Sequence, residues 1–175
     1  MGSWRRYSMV VVLAVASAIV FSTVGTASAA TSKLNTIYIS AGVYRARLGT
    51  TDGTAQTRVG LHLAKSGRDN NYQGQVVYYH FFGKKRAGGY DVEMYSNKSR
   101  IVWLFAIFGS TLKTTKGIHV GSTEAALKHA YGSALSKRVG DIYTTYWLGT
   151  RAHKGTDFYV RNSTHKITEI DVRNW

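Results

Sequence analysis

Leu48-Gly49-Thr50-Thr51-Asp52, running without a gap to Gly60, and Val120-Gly121-Ser122-Thr123-Glu124, running without a gap to Gly132, share one pattern at a constant offset of 72 residues. A second match follows downstream. Gly89-Tyr90-Asp91-Val92 with Arg100-Ile101 mirrors Gly155-Thr156-Asp157-Phe158 with Lys166-Ile167 at an offset of 66. Internal repetition bears on architecture before any motif does, because each copy is one structural unit. In the second copy Ser122 is placed to cap a helix, Glu124 falls in its positive first turn, and Ala125 to Tyr131 are mostly good helix formers. Leu127, Ala130 and Tyr131 share a helix face, and Gly132 stands where a left-handed terminating residue is wanted. Gly53, Thr54 and Thr57 are poorer helix formers. The first copy is therefore expected to hold a shorter helix, with Gly60 in the terminating role.

Three strand-like runs follow each helix, at 75–82, 90–95 and 100–108 and again at 141–148, 156–161 and 166–172. They are rich in Tyr, Val, Ile and Phe, with Gly, Asn, Ser and Lys between them. The fold class expected is α+β: two tandem repeats, 30–116 and 117–175, each a short helix followed by an antiparallel three- to four-stranded meander. The two would join in one sheet with the helices on one face. Val76 to Phe82 does not alternate as a half-buried strand should. Either the N-terminal segment or a loop covers its second face, or that face is open and aromatic. An open aromatic face rimmed by Lys and Arg would be a binding surface.

The N-terminus has the order of a secretory leader: Arg5 and Arg6, an apolar run from Met9 to Val24, then Ala27-Ser28-Ala29. Cleavage is expected after Ala29, giving a secreted protein. An uncleaved anchor is the weaker reading, because the run is shorter than the roughly 20 residues a span needs. No cysteine is present, so disulfides, thiol catalysis and Cys-ligated metals are excluded. The formal net charge is +14, and +12 without Arg5 and Arg6. Such a charge speaks of partners rather than fold. It fits an acidic protein or an anionic cell-envelope polymer, although many basic exported proteins bind neither. Nucleic acid is weakly supported by basic residues interleaved with Tyr and Trp.

Arg47-Leu48-Gly49-Thr50-Thr51 and His119-Val120-Gly121-Ser122-Thr123, each followed by a short helix and strands, resemble the small secreted actinobacterial proteins built on tandem helix-plus-meander repeats, the group of the β-lactamase inhibitory protein. The resemblance implies a non-enzymatic, partner-binding exported protein. Two departures stand out. Those inhibitors use disulfides, and they dock an acidic, aromatic hairpin, where this chain carries Lys84, Lys85 and Arg86. Inhibition of a β-lactamase is therefore not carried over.

The catalytic signatures tried do not appear. The histidines (62, 80, 119, 129, 153 and 165) show no HExxH or i, i+4 pair, and no G-x-S-x-G elbow is present. Asp52 and Glu124 sit at helix starts, Asp91 and Asp157 at repeat-matched strand starts, and Asp141 where a strand begins, so no acid pair for glycoside hydrolysis stands out. No cofactor and no metal ligand set is expected. The leading expectation is a secreted, non-enzymatic binding module, with Lys84, Lys85, Arg86, Tyr78, Tyr79, Tyr90, Tyr146 and Trp147 as its candidate contacts. The rival is a small secreted hydrolase whose site is assembled across the sheet, bringing a His and a carboxylate together in a deep pocket. A structural envelope or spore-associated protein is the third.

Overall fold

The structure, a computed structural model, describes residues 36–38, 41–43, 45–72, 74–150 and 154–174. The expected leader at 1–29, with its cleavage point after Ala29, and His153 lie outside the described residues. The described elements are β1 (Thr36–Tyr38), β2 (Gly42–Val43), β3 (Ala46–Arg47), α1 (Asp52–Gln56), β4 (Leu63–Tyr72), β5 (Gln75–Lys85), β6 (Tyr90–Ser96), β7 (Val102–Ile107), β8 (Lys113–Thr114), α2 (Glu124–Tyr131), a 3-10 turn (Gly132–Ala134), β9 (Ser136–Val139), β10 (Tyr143–Thr150), β11 (Lys154–Arg161) and β12 (Lys166–Asn174). The class is α+β and rich in strand.

Two sheets form. The large one has the order β4-β5-β6-β7-β12-β11-β10-β9, antiparallel throughout. The small one has the order β3-β2-β1-β8. Of the small sheet the sequence pattern shows only β1, where Thr36 to Ser40 alternates as a short strand or lead-in; β2, β3 and β8 are two residues long and leave no pattern. It also misses β4 and β9 for a shared reason. Both are edge strands of the large sheet, where charged and polar residues are favoured because they block pairing with other chains. All four residues of β9 are exposed.

One face of the large sheet is buried. Phe82, Val92, Met94, Phe105, Phe158 and Ile170 form a single cluster with Ala55 of α1, Leu127 of α2 and Ile37, Val43 and Ala46 of the small sheet. The buried residues of both helices, the small sheet and the loops at 57–62 and 108–123 pack on this side. The helix caps differ from expectation. Thr123, not Ser122, caps α2, its hydroxyl accepting from Ala126 N–H at 3.1 Å. Ser122 Oγ instead accepts from His119 N–H. Gly132 ends α2, whereas α1 ends on Thr57, and Gly60 with φ of 76° turns the chain three residues later.

Each helix start is tied to the sheet by a carboxylate. Asp52, 3% exposed, takes hydrogen bonds from Arg100 Nε at 2.6 Å, Ser96 Oγ at 2.9 Å and His80 Nε2 at 3.3 Å. Burial works against its charge, but those three donors outweigh it and hold its carboxyl below the usual range. Glu124 takes Lys128 Nζ at 2.5 Å, His165 Nδ1 at 2.9 Å and the Tyr146 hydroxyl. Lys128 first, then Tyr146 and His165, lower it to about 2. Arg100 and His165, which turn toward these carboxylates, have φ of 63° and 50°.

Removing Asp52 leaves a buried histidine and an arginine without their acceptor. Asp52→Ala is expected to cost about 1–3 kcal/mol, the usual loss when buried hydrogen-bond donors are left unsatisfied, because the Arg100 side chain is 46% exposed and can turn to water. Urea denaturation at neutral pH measures it, and a loss below about 1 kcal/mol would remove Asp52 from this role.

Candidate functional site on the helix-free sheet face

Side chains alternate across a strand, so every second residue of the large sheet points away from the helices. The register aligns them in rows. Lys65, Phe81, Glu93, Ala106, Asp171, Asp157 and Trp147 face one another in turn from β4 to β10. The next row is Tyr79, Tyr95, Leu104, Arg173 and Gly155. Beside the first row on its other side, Glu169 faces Tyr159. Val77, Leu104 and Ala106 are buried here without belonging to the main core cluster. Among the described residues no helix or strand lies over this face.

The centre of the face is a trough of carboxylates with aromatic walls. Asp157, 4% exposed, chelates Arg173, 5% exposed, through Nε and Nη2, both at 2.9 Å. Glu93 accepts from Tyr90 N–H at 3.0 Å and from the Tyr95 hydroxyl at 2.6 Å. Tyr159 donates to Asp171 Oδ2 at 3.3 Å, and Asp171 Oδ1 is buried with no hydrogen-bond partner. Burial, and beside it the charge of Glu169, pushes the Asp171 carboxyl well above the usual range. Burial raises Glu169 too, with Glu93 adding to it. The Tyr159 hydroxyl is raised by burial and then by Asp171, Asp157 and Glu169. One wall stacks Tyr79 on Phe81 at 4.8 Å and Phe81 on Tyr90 at 5.2 Å, continuing through Tyr95 to Trp103. Trp147 and Tyr159, both half-buried, stand on the other side.

The candidate residues from the sequence separate. Tyr79, Tyr90 and Trp147 lie on this face. Tyr78 pairs with Ser96 on the helix side, its ring under the Arg100 guanidinium at 4.0 Å. Tyr146 is 3% exposed and bound to Glu124, a core residue rather than a contact surface. Lys84 and Lys85 are exposed. Arg86 Nε is held by Asp91 at 2.6 Å, and Asp91 also accepts from Lys84 N–H, so Asp91 shapes the β5–β6 turn. The sequence-matched Asp91 and Asp157 sit in different surroundings: Asp91 holds the β5–β6 turn, whereas Asp157 shares its row with Glu93 and holds Arg173. Glu93 was missed because it lies far in sequence from Glu169 and Asp171 and meets them only through strand pairing. The alternation of Glu169 and Asp171 with Ile170 and Val172 was the available signal.

At one end of the face a cleft of about 760 Å³ opens between the β5–β6 turn, the loop before α2 and the β11–β12 turn. Arg86, Phe108, Tyr143, Arg161, Lys166 and Glu169 are among its lining, and no histidine is. The His–carboxylate contacts expected of a hydrolase occur elsewhere. His80 meets Asp52 beneath the sheet, with its other ring nitrogen on Gln56. Ser96 donates to Asp52 and not to His80, so this trio lacks the Ser–His–Asp order that activates a nucleophile. Among the described residues no group of three His, Asp or Glu has metal-ligand geometry.

No family model matches the chain, and no curated protein matches it. In fold it is similar to the uncharacterized protein yfeY from Escherichia coli, with a TM-score of 0.55 at 14% identity, covering 79% of this chain and 99% of that one. An extracellular protein containing a SCP domain from Bacillus anthracis gives a TM-score of 0.46 at 10% identity over 73% of this chain and 44% of its own length. The likeness to the E. coli protein supports the α+β fold and nothing about activity.

The two kinds of carboxylate predict opposite pH behaviour. Glu124 has a folded pKa below its unfolded one. Its stability is present above the unfolded value and is lost as pH falls from about 4.5 toward about 2. Asp171 has a folded pKa above its unfolded one, so stability declines as pH rises past about 4. Asp171→Asn keeps the shape without the charge. At pH 7 it should stabilise the protein, with the gain vanishing in acid, where the Asp171 carboxyl is protonated in both states. Thermal melts across pH 2–8 read this directly. A destabilised variant at pH 7 would show that Asp171 is charged and favourably placed.

Proposed function

We propose that this is an exported, non-enzymatic binding protein whose recognition surface is the helix-free face of the eight-stranded sheet. The observation that carries the reading is that face itself: partly exposed aromatic rings around buried, hydrogen-bonded carboxylates. Partly exposed aromatic rings are what interfaces use, since they contribute large area at low entropic cost. Export rests on the leader-like N-terminus. A hydrolase would need one carboxyl as acid and another as an unencumbered base. Asp157 is chelated by Arg173 and Glu93 takes two donors, which argues for a framework and binding role.

The same reading includes a duplicated helix-plus-meander unit. Its support is a set of matched contacts. Gly49 N–H and Gly121 N–H donate to Val102 and Ile167 carbonyls, and Asp52 N–H and Glu124 N–H donate to those of Arg100 and His165. Thr51 bridges Ile101 as Thr123 bridges Lys166. The offset is 72 at the helix starts and 65 or so on the strands. The resemblance to the secreted inhibitor group fits this arrangement.

A second reading, engagement of an anionic envelope polymer or acidic protein, is favoured by the convergence of Arg86, Arg161 and Lys166 on the end cleft. The two separate by experiment. With the face as the working surface, Trp147→Ala and Tyr79→Ala abolish capture of a partner from culture supernatant while the melting temperature changes little. Under the second reading, Arg161→Gln with Lys166→Gln abolishes salt-sensitive retention on a polyanion column instead. Capture indifferent to Trp147 and Tyr79 would overturn the proposal.

A further inference from the structure

The turn between β9 and β10 carries the apolar surface that the protein leaves in water. Among the described residues the large hydrophobic side chains that stand exposed are Val139 at 66%, Ile142 at 62% and Tyr143 at 38%, gathered within five consecutive positions. Their backbone is pinned. Gly140 N–H donates to the Tyr143 carbonyl at 3.0 Å and Asn162 N–H to that of Ile142 at 2.9 Å. Asn162 Nδ2 donates to the carbonyls of Gly140 at 2.7 Å and Asp141 at 3.0 Å. The turn is thus held outward by the neighbouring β11–β12 turn instead of folding back onto the core. Cations surround it. Lys137 and Arg138 precede it on the exposed edge strand β9. Arg161 pairs with Tyr143, its guanidinium 5.9 Å from the ring centre, and Lys166 follows in the same row. None of these four cations forms an ion pair among the described residues.

We propose that this turn docks the protein on an anionic lipid surface. Val139 and Ile142 enter the boundary between headgroups and acyl chains, Tyr143 sits at headgroup level, and Lys137, Arg138, Arg161 and Lys166 meet lipid phosphates. The inference goes beyond both readings above. It needs no residue of the aromatic face and shares only Tyr143, Arg161 and Lys166 with the end cleft. Charge complementarity and size together select the occupant. An apolar tip inside a collar of cations matches the order of environments from acyl chain to phosphate layer. Three side chains on one turn fall far short of the roughly 800 Å² per partner that a stable protein interface buries, whereas a bilayer boundary takes up a small apolar protrusion. Lys137 and Arg138 also oppose edge-to-edge pairing of β9 with a second copy. The turn carries one carboxylate, Asp141, and Glu169 lines the cleft with Arg161 and Lys166. The four unpaired cations outnumber those two, and the excess of 23 Lys and Arg over 9 Asp and Glu adds attraction at longer range.

The test uses the exported protein recovered from culture supernatant. Flotation compares vesicles of phosphatidylglycerol and phosphatidylcholine in equal parts with vesicles of phosphatidylcholine alone. Partitioning is expected to be about tenfold or more stronger on the anionic vesicles, and raised salt should weaken it. Val139→Ser with Ile142→Ser should lose about tenfold of it with the melting temperature retained, since both side chains are already exposed. A second measurement does not depend on that variant. The chain has no cysteine, so Ile142→Cys accepts a single environment-sensitive fluorophore. Its emission should shift to the blue on anionic vesicles, whereas a label on Ser99→Cys, in the β6–β7 turn, should not shift. Absence of partitioning onto anionic vesicles overturns the proposal. So does partitioning indifferent to Val139 and Ile142, which would be attraction of charge alone and would leave the polyanion reading of the end cleft standing. A dimer in sedimentation that the serine variant abolishes also overturns it, because the turn would then meet a second copy. Partner capture through Trp147 is measured without vesicles, so failure here and failure of the sheet-face reading are separately visible.

Discussion

The antiparallel pairing of β7 with β12 is the constraint on which the rest of the structure depends. Four residue pairs make the junction: Leu104 with Arg173, Phe105 with Val172, Ala106 with Asp171 and Ile107 with Ile170. In this register Phe105, Ile107, Ile170 and Val172 enter the core, while Ala106, Asp171 and Arg173 turn to the other face. A slip of one residue would exchange the two sets, placing a carboxylate and a guanidinium in the core and two β-branched side chains in the trough. The penalty for burying those charges without Asp157 and Tyr159 beside them fixes the register as firmly as the apolar packing does.

The carboxylates divide by the work their surroundings make them do. Asp52 and Glu124 begin helices and are met by positive or donating groups from neighbouring strands and turns. They hold their charge strongly, and through it they fasten each helix to the sheet. Asp171 and Glu169 are sheltered among other carboxylates and aromatic rings, and they resist ionisation. The protein therefore carries one set of acids that stabilises its fold and another that strains it.

Much of the frame was legible in the sequence. The Gly-Thr-Thr-Asp and Gly-Ser-Thr-Glu stretches announced both helix starts, and the runs rich in Tyr, Val and Ile located the six inner strands of the large sheet. Edge strands were not legible, because β9 and most of β4 have no apolar pattern to detect. The trough was illegible for a different reason. Glu93, Asp157 and Asp171 become neighbours only through register, and the bulges after Tyr95 and Tyr159 shift that register by amounts no residue count reveals. Tyr146 and Tyr78 show the limit from the other side. A tyrosine in an alternating strand is assigned to core or surface by which face the helices choose.

The most direct measurement is a carboxyl carbon NMR titration resolved by residue. The account requires Asp171 to titrate clearly above the ordinary aspartate value of about 3.9, and Glu124 to titrate at about 2. An Asp171 that titrates near 4, as a solvated side chain does, would mean that the row of carboxylates is not sheltered and that the trough described here does not exist.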